Sequence, residues 1–210
     1  MAHSNHAPLH AVLAVILRVH ERALEVLLDG DALPGAQLTE RETLEAALGR
    51  AVEIDALAHL EQLETLSDPR RSPRAWELAT AYLGLLPTDG HLPGEWRPVA
   101  DLPRLADDHG AIVLAGLARL RAKLSYTNIG FALAPATFTV SELREIYVAA
   151  LGHDVSATNL QRVLVRRGVI EPMAGRRAPG RAGGRPAALF RFASHRIAVT
   201  DEFAVLRPPR

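Results

Sequence analysis

The 210-residue sequence predicts an α+β fold divided into two domains, residues 1–133 and residues 134–210. Strand-like and helix-like apolar patterns follow one another in the first part, and an Ala-Pro-Ala-Thr stretch at residues 134–137 interrupts a helical pattern. Charge is also unevenly divided, since 11 arginines face only four acidic residues from residue 151 onward. Such a basic module is typical of a domain with a polyanionic partner, with an ordinary solvated surface as the alternative.

Composition excludes several classes of chemistry. The chain has no cysteine, so disulfides, thiolate nucleophiles and cysteine-based zinc sites are ruled out. The longest apolar run near the start, residues 11–17, is far shorter than the roughly 20 residues of a membrane-spanning helix. The residues before it are not basic and no small-residue cleavage site follows, unlike a secretory signal. We therefore expect a cytoplasmic protein with no membrane partner.

The first elements are a β-hairpin and a helix. Residues 11–17 and 24–28 are apolar runs separated by a short polar stretch, and Asp29-Gly30 closes the second run. A helix is predicted from about residue 42 to residue 56, because apolar residues recur there at helical spacing and would form one stripe against a sheet. The stripe consists of Leu44, Ala47, Leu48, Ala51 and Val52.

Residues 33–58 resemble the Nudix box, the loop-helix-loop signature of enzymes that split nucleoside diphosphates linked to another group. Gly35 and Glu42 occupy the positions of the motif's glycine and first glutamate, and Arg50 occupies that of its helix arginine. Ala36 replaces a second glycine. The scaffold of the motif is thus retained.

The carboxylates of the motif are largely missing. A Nudix box needs a glutamate beside the arginine and a further pair nearby to bind magnesium, but Ala51, Ile54 and Asp55 stand there. Glu53 and Asp55 are two residues apart and would not share a helix face. Leu57 replaces the loop glycine. We therefore expect neither catalytic residues nor a metal site, with residual hydrolysis through Asp55 as the alternative.

Later segments continue the resemblance and point to one regulator family. They are residues 60–63, residues 68–74, an apolar strand at 76–86, residues 96–103, residues 105–109 and a helix at about 111–124. Their order is similar to that of the NrtR family, the Nudix-related transcriptional regulators of NAD metabolism. The resemblance implies an α/β/α sandwich with a mixed sheet that binds ADP-ribose, or a related nucleotide, as an effector and not as a substrate. No cofactor is expected.

Arginines after the box are the candidates for binding the diphosphate of such an effector, because guanidinium groups match phosphate oxygens in pairs. Each of them could equally be a surface residue, and a lone tryptophan or histidine is more often structural. The candidate effector residues are Arg70, Arg71, Arg74, Glu42, Arg50, Trp96 and His109.

The tail predicts two helices joined by a short turn. Thr139 or Ser141 can cap the first helix, and Gly152 ends it. Asp154 or Ser156 opens the second, which runs to about Arg167. Two helices with a glycine-containing turn form the helix-turn-helix plan.

The second helix of the tail has an apolar side and a polar side. Leu160, Val163 and Leu164 project to one side, so the polar side faces away from the core. Long hydrogen-bond donors on such a face can read bases in the major groove, with a solvated face as the alternative. The candidate DNA-binding residues of this helix are Ser156, Thr158, Asn159, Gln161, Arg162 and Arg166. Arg167 projects near the core side and is expected to extend to solvent or to a phosphate.

An arginine-rich segment between two short strands predicts a wing. The strands are residues 169–170 and 189–192, and residues 175–186 between them hold four arginines and no acid. Glycines allow close approach to a sugar-phosphate chain, and the arginines can bind phosphates or enter the minor groove. The candidate residues are Arg176, Arg177, Arg181 and Arg185.

The tail resembles the NrtR winged helix at residues 137–143, Ile146-Tyr147, Asn159 and residues 184–191. The resemblance implies a repressor of genes for NAD synthesis or salvage that binds double-stranded DNA. We expect a homodimer on a near-palindromic operator, because two recognition helices then read two half-sites. An adaptor whose wing binds RNA or an acidic protein is a further alternative, although single-strand binding usually needs exposed aromatic residues, which this segment lacks.

Overall fold

A mixed β-sheet forms the centre of the first domain. The computed structural model describes residues 8–73, 75–177 and 186–201. The strands of this sheet are β1 (Leu9–His20), β2 (Ala23–Leu28), β3 (Gly35–Gln37), β4 (His59–Leu66), β5 (Glu77–Leu85) and β6 (Glu95–Pro98). Their order is β4-β5-β1-β2-β6, and β3 pairs with β1. Strand β1 runs parallel to β5 and antiparallel to β2 and β3, so the predicted mixed sheet is confirmed.

The predicted hairpin is the β1–β2 pair. Its two-residue turn consists of Glu21 and Arg22, with φ values of 47° and 67°. Positive φ at both turn residues matches the right-handed twist of the flanking strands, although non-glycine residues adopt it at some cost. The predicted strand at 76–86 is observed as β5.

Helices cover both faces of the sheet, and successive buried residues of β1 point alternately to one face and the other. Helix α2 (His109–Tyr126) shares a core with Leu13, Val15 and Leu17, while α1 (Leu44–Ala51) shares one with Val12 and Ile16. A β-carbon at Gly116 would lie 2.9 Å from Val15 Cγ1, so glycine permits the close approach of α2. The predicted α/β/α sandwich is confirmed.

Helix α1 is shorter than the 42–56 span predicted from its apolar spacing. It begins after Thr43, whose hydroxyl accepts a hydrogen bond from Ala46 N at 3.1 Å, and it ends at Val52, where the backbone becomes extended. A short 3-10 segment, Ile54–Ala56, follows. The predicted end was wrong because apolar residues continue after the helix has ended. Val52 and Ile54 still pack in the same core as Ala47, although their backbone is no longer α-helical.

The tail consists of helices α3 (Val140–Leu151) and α4 (Ala157–Arg166) and an antiparallel ribbon of β7 (Ile170–Arg177) and β8 (Ala187–Phe192). Thr139 and Glu142 form a capping box at the start of α3, Gly152 ends α3 with φ 77°, and Ser156 caps α4. The helix-turn-helix and wing are therefore confirmed.

The wing strands are longer than predicted. Pairing continues to Arg177 and Ala187, past a register shift between Pro172 and Arg176. Gly175, with φ 103°, lies in that irregular stretch, and glycine adopts this conformation without strain. Part of the predicted loop at 175–186 is thus strand.

The two domains pack against each other through one continuous core that extends from β1 to Phe192. After β8 the chain returns to the end of α2, where Asn128 holds it in place. Asn128 Nδ2 donates to Arg196 O at 2.9 Å, and Ala198 N donates to Asn128 Oδ1 at 2.7 Å. In the part of the chain that the structure describes, no helix is long and apolar enough to cross a membrane.

Candidate nucleic-acid interface and effector site

Glu42 and Arg50, the retained charged residues of the Nudix box, bind each other. Arg50 Nε donates to Glu42 Oε1 at 2.8 Å, and Arg50 Nη2 donates to Glu42 Oε2 at 3.0 Å and to Gln37 O at 2.6 Å. These bonds from Arg50, with those from Thr39, lower the pKa of Glu42 to about 2. The pair therefore fixes the loop before α1 to the last turn of that helix.

Two of the three carboxylate positions of the box hold residues without a carboxylate. Ala51 is exposed at the end of α1, and Ile54 packs against the apolar core on that face of the sheet. Among the described residues, no group of three histidine, aspartate or glutamate side chains could hold a metal ion. Glu53 and Asp55 lie after α1 has ended. The expectation that their spacing places them on different faces of one helix therefore does not hold. At these three positions only Asp55 offers the carboxylate oxygens that magnesium prefers.

Trp96 is held by contacts within the first domain. The guanidinium carbon of Arg18 lies 4.0 Å from the centre of its ring, and the indole Nε1 donates to Leu92 O at 3.2 Å. Trp96 is only partly buried and lies on the same face of the sheet as α1. These contacts give the tryptophan a structural role and leave part of its surface accessible.

A polar cavity of about 570 Å³ is lined by the segment that leads into α2, residues 104–108, together with residues of two other loops. Arg70 and Arg71 line it, as predicted for diphosphate candidates, and Arg104 joins them. Arg104 was not among the predicted residues, because it belongs to an irregular segment without a motif. Three aspartates balance these charges: Asp31, Asp107 and Asp108. Arg74 lies outside the described residues.

The three arginines of this cavity differ in their freedom to bind a ligand. The side chain of Arg71 is 3% exposed and is bound by Glu77 at 2.7 Å and by Asp108 at 2.9 Å. That of Arg70 is 87% exposed and pairs with Asp68 at 3.1 Å. Arg104 is exposed and has no ion-pair partner among the described residues. Arg70 and Arg104 can therefore turn toward an anion at low cost, whereas Arg71 holds the wall of the cavity.

His109, the first residue of α2, also has a structural partner. Its Nδ1 accepts a hydrogen bond from Leu33 N at 2.9 Å, which requires an unprotonated Nδ1. Burial has the largest effect and lowers the pKa of His109. Asp108 raises this pKa to a smaller extent, and Arg71 lowers it. The neutral ring thus connects α2 to the loop before the Nudix box.

The polar face of α4 is exposed as the recognition-helix prediction requires. Thr158, Asn159, Arg162 and Arg166 are exposed, while Leu160 and Leu164 are buried. Arg162 Nη2 donates to Asn159 Oδ1 at 2.7 Å, so one base-reading candidate orients another. Ser156 caps the helix with its hydroxyl.

Gln161 in α4 and Arg167, the residue after it, differ from the positions predicted from the sequence. Gln161 is half-buried and lies at the edge of the exposed face. Arg167 does not extend to solvent or a phosphate, because its Nη1 donates to Ser125 O at 3.0 Å and its Nη2 binds Asp201. The prediction for Arg167 was wrong because the C-terminal segment that supplies Asp201 lacks any sequence signal for its return to α2.

The wing arginines have different surroundings. Arg176 is exposed, whereas Arg177 forms an ion pair with Glu142 and reaches Thr137 O at 3.4 Å. Arg181 and Arg185 lie outside the described residues. An arginine-rich ribbon beside an exposed recognition face forms a surface suited to the DNA backbone.

Known proteins similar to this chain include transcriptional regulators with a winged helix. Residues 130–192 match the sequence profile of the NrtR DNA-binding winged helix domain. The chain is 30% identical to the ADPR responsive transcriptional repressor NtrR of Acinetobacter baylyi, over 89% of this chain and 83% of that protein.

Solved structures resemble most of the chain, across both domains. The structure of Shewanella oneidensis NrtR complexed with a 27mer DNA has a TM-score of 0.71 at 26% identity, covering 87% of this chain and 92% of that one. A MutT/nudix family protein from Enterococcus faecalis has a TM-score of 0.67 at 19% identity and covers 90% of each chain. At that identity the second likeness concerns the fold alone.

The fold and the exposed recognition face define a class of protein, the winged-helix transcriptional regulators with a Nudix-like domain. Within this class, the likeness to the Acinetobacter repressor extends over both domains. The chain belongs to the NrtR family.

Proposed function

We propose that this chain is a transcriptional repressor that binds operator DNA through α4 and the wing, and that ADP-ribose or a related nucleotide controls this binding. The exposed face of α4, with Arg162 and Arg166 beside Thr158, is the observation that carries the proposal. The Acinetobacter relative is an ADPR-responsive repressor, and the Shewanella relative was crystallised with DNA. Two copies would read the half-sites of a near-palindromic operator, and the regulated genes would serve NAD synthesis or salvage.

The effector would bind in the cavity just before α2. Its volume lies within the usual range for small-molecule sites, and three arginines line it. A smaller cavity beside the Nudix box is lined by one arginine, Arg50. Arg70 and Arg104 are exposed and would contact the diphosphate, because guanidinium groups form paired bonds with phosphate oxygens. The Glu42–Arg50 pair would support the site from a distance.

Helix α2 would transmit the effect of the ligand to the DNA-binding domain. Its 18 residues span about 27 Å from the cavity to the α4 side of the molecule. Near its end, Arg121 Nε donates to Ala150 O of α3 at 3.2 Å, and Ser125 O accepts from Arg167 beyond α4. A ligand that shifts the first turn of α2 would thus move both helices of the helix-turn-helix.

Calorimetric titration of ADP-ribose into the protein tests the effector site. Arg104→Ala and Arg70→Ala should each weaken binding, and Arg97→Ala is the matched control, since Arg97 is exposed and paired with Glu95 outside the cavity. If Arg50→Ala abolishes binding while the cavity variants bind normally, the effector site is beside the Nudix box.

DNA affinity measured with and without ADP-ribose tests the regulatory function. Reciprocity requires that the ligand change DNA affinity by the same factor by which DNA changes ligand affinity. Binding of ADP-ribose with unchanged DNA affinity would contradict the proposed switch.

The same protein should not hydrolyse ADP-ribose. Ala51 and Ile54 occupy carboxylate positions, so magnesium would lack the ligands that activate water and neutralise the diphosphate. We expect no metal-dependent product by chromatography after prolonged incubation with magnesium or manganese. Turnover on the order of 1 per second, which is within the ordinary enzyme range, would support a hydrolase instead.

A further inference from the structure

Val165 is an apolar residue on the otherwise polar face of the recognition helix. It lies in the last turn of α4 and is 44% exposed, which makes it the large apolar side chain that this helix leaves open to solvent. The other exposed residues of the face are Thr158, Asn159, Arg162 and Arg166. The exposed part of this side chain gains nothing from burial in the free domain, and a partner that covers it would add apolar contact.

The position of Val165 places it among the candidate base-reading residues. At about 100° per residue, Val165 projects about 20° from Thr158 and about 60° from Arg162 around the helix axis. It lies three residues beyond Arg162, and residues at that spacing are neighbours on a helix surface. Leu160 and Leu164, in contrast, are buried in the core.

The surroundings of Val165 favour DNA as the group that covers it. Arg162 and Arg166 both lie to one side of it around the helix axis, and residues 157–166 include no acidic side chain. Such a positive rim suits an anionic partner, whereas a subunit contact centred on this valine would bring the arginines of both copies together. On the base edges in the major groove, the apolar group that a valine can meet is the C5 methyl of thymine.

We propose that the methyl groups of Val165 contact the C5 methyl of a thymine in the operator, so that Val165 determines sequence preference together with Arg162. This proposal rests on the proposed DNA-binding function. Arg162 would supply hydrogen bonds to one base, and Val165 would select thymine at a neighbouring position through apolar contact.

The test starts from a duplex selected from a randomised pool by the wild-type protein. Each thymine in that duplex is replaced in turn by deoxyuridine, which removes the methyl group and keeps the base pair. We expect one thymine per half-site at which the replacement weakens wild-type binding about threefold to fivefold, the change associated with burying one methyl group.

Variants assign the effect to Val165. Val165→Ala should bind the thymine and deoxyuridine duplexes equally, because the apolar partner is gone, and alanine at a helix position should leave folding intact. Val199→Ala is the matched control, since Val199 is 58% exposed but lies on the segment that returns to α2. It should keep the wild-type preference for thymine.

The outcomes separate this proposal from the proposed function. If selection yields no preferred duplex, DNA recognition by this chain and the role of Val165 are both overturned. If a preferred duplex is found but no thymine is sensitive, or Val165→Ala keeps the sensitivity, only the role of Val165 is overturned. Dissociation of a dimer by Val165→Ala, measured by sedimentation, would assign Val165 to a subunit contact and overturn the proposal as well.

Discussion

Arg71 and Asp108 form a two-bond ion pair at the start of α2, with Arg71 Nη2 2.9 Å from Asp108 Oδ1 and Arg71 Nε 3.1 Å from Asp108 Oδ2. The third nitrogen, Nη1, binds Glu77 of β5 at 2.7 Å. Glu77 also accepts a hydrogen bond from Gln37, whose carbonyl oxygen binds Arg50 of the Nudix box. A continuous polar network thus joins the box helix on one face of the sheet to α2 on the other.

Replacement of Arg71 should be strongly destabilising. Arg71→Met would leave Asp108 and Glu77 without their buried partner, and breaking a buried ion pair costs about 3–5 kcal/mol. The free energy of unfolding from urea titration measures this loss. Arg70→Met is the matched control, because Arg70 is highly exposed and its replacement should change stability by no more than about 0.5 kcal/mol. Equal effects of the two substitutions would mean that the Arg71 network does not hold the domain.

Mild acid should destabilise the protein in part through His109. Burial lowers the pKa of His109 in the folded state, so the unfolded chain binds a proton more readily. The resulting loss of stability begins as pH falls through about 6.5, the ordinary histidine pKa, and is complete below the lowered folded-state pKa. Protonation of Nδ1 would also break the bond from Leu33 N.

His109→Asn should reduce this pH dependence, because an asparagine oxygen can accept the Leu33 bond without titrating. Urea titrations at pH 7.5 and 5.5 should show a smaller loss for this variant than for the wild type. Burial also lowers the pKa of His59, which accounts for part of the remaining loss. The exposed His153 provides the control substitution, His153→Asn. A wild-type pH dependence in His109→Asn would exclude His109 as a source.

The fold was predictable because its signals are local. The β1–β2 hairpin, the Thr139 cap and the Gly152 helix end each depend on a few adjacent residues, and the structure confirms them. Helix α1 ended earlier than predicted because apolar spacing continues past Val52. The domain boundary at residue 134 stays a prediction, since residues 129–134 lie in the core shared by both domains.

The candidate sites were less predictable because they depend on contacts between distant segments. Asp108 lies 37 residues from its partner Arg71, and Asp201 lies 34 residues from its partner Arg167; the sequence contains no pattern that links these pairs. Arg70 and Arg104 are likewise brought to one cavity by folding alone. Residue type indicates which arginines can bind phosphate, but only the tertiary structure shows which of them are already engaged.

Arg162 should be the main base-reading residue of α4. It is exposed at the centre of the polar face, and Asn159 holds its guanidinium at 2.7 Å. Arg162→Ala should cost about 1–3 kcal/mol of operator binding and relax discrimination at one base pair, because a paired hydrogen bond to guanine is removed. Competition binding with single-base operator variants measures both effects. Arg41→Ala, at a highly exposed arginine of the first domain, is the control.

The wing should contribute affinity more than sequence preference. Replacing Arg176 and Arg177 by alanine should weaken binding to operator and random DNA together, because phosphate contacts do not distinguish sequences. The slope of log affinity against log salt should become shallower by about 0.9 for each phosphate that the variant no longer neutralises. Arg176 should account for more of this change than Arg177, whose charge is already paired with Glu142.

Binding of the single and double wing variants to both DNAs at several salt concentrations tests this division. Arg191→Ala is the control within the ribbon, because Arg191 pairs with Glu171 across the strands at 2.6 Å. A selective weakening on A·T-rich operators would instead indicate that the wing inserts into the minor groove, whose narrow A·T tracts attract arginine. If Arg162→Ala and the double wing variant both leave operator affinity unchanged, α4 and the ribbon do not bind DNA, and the proposed regulatory function fails with them.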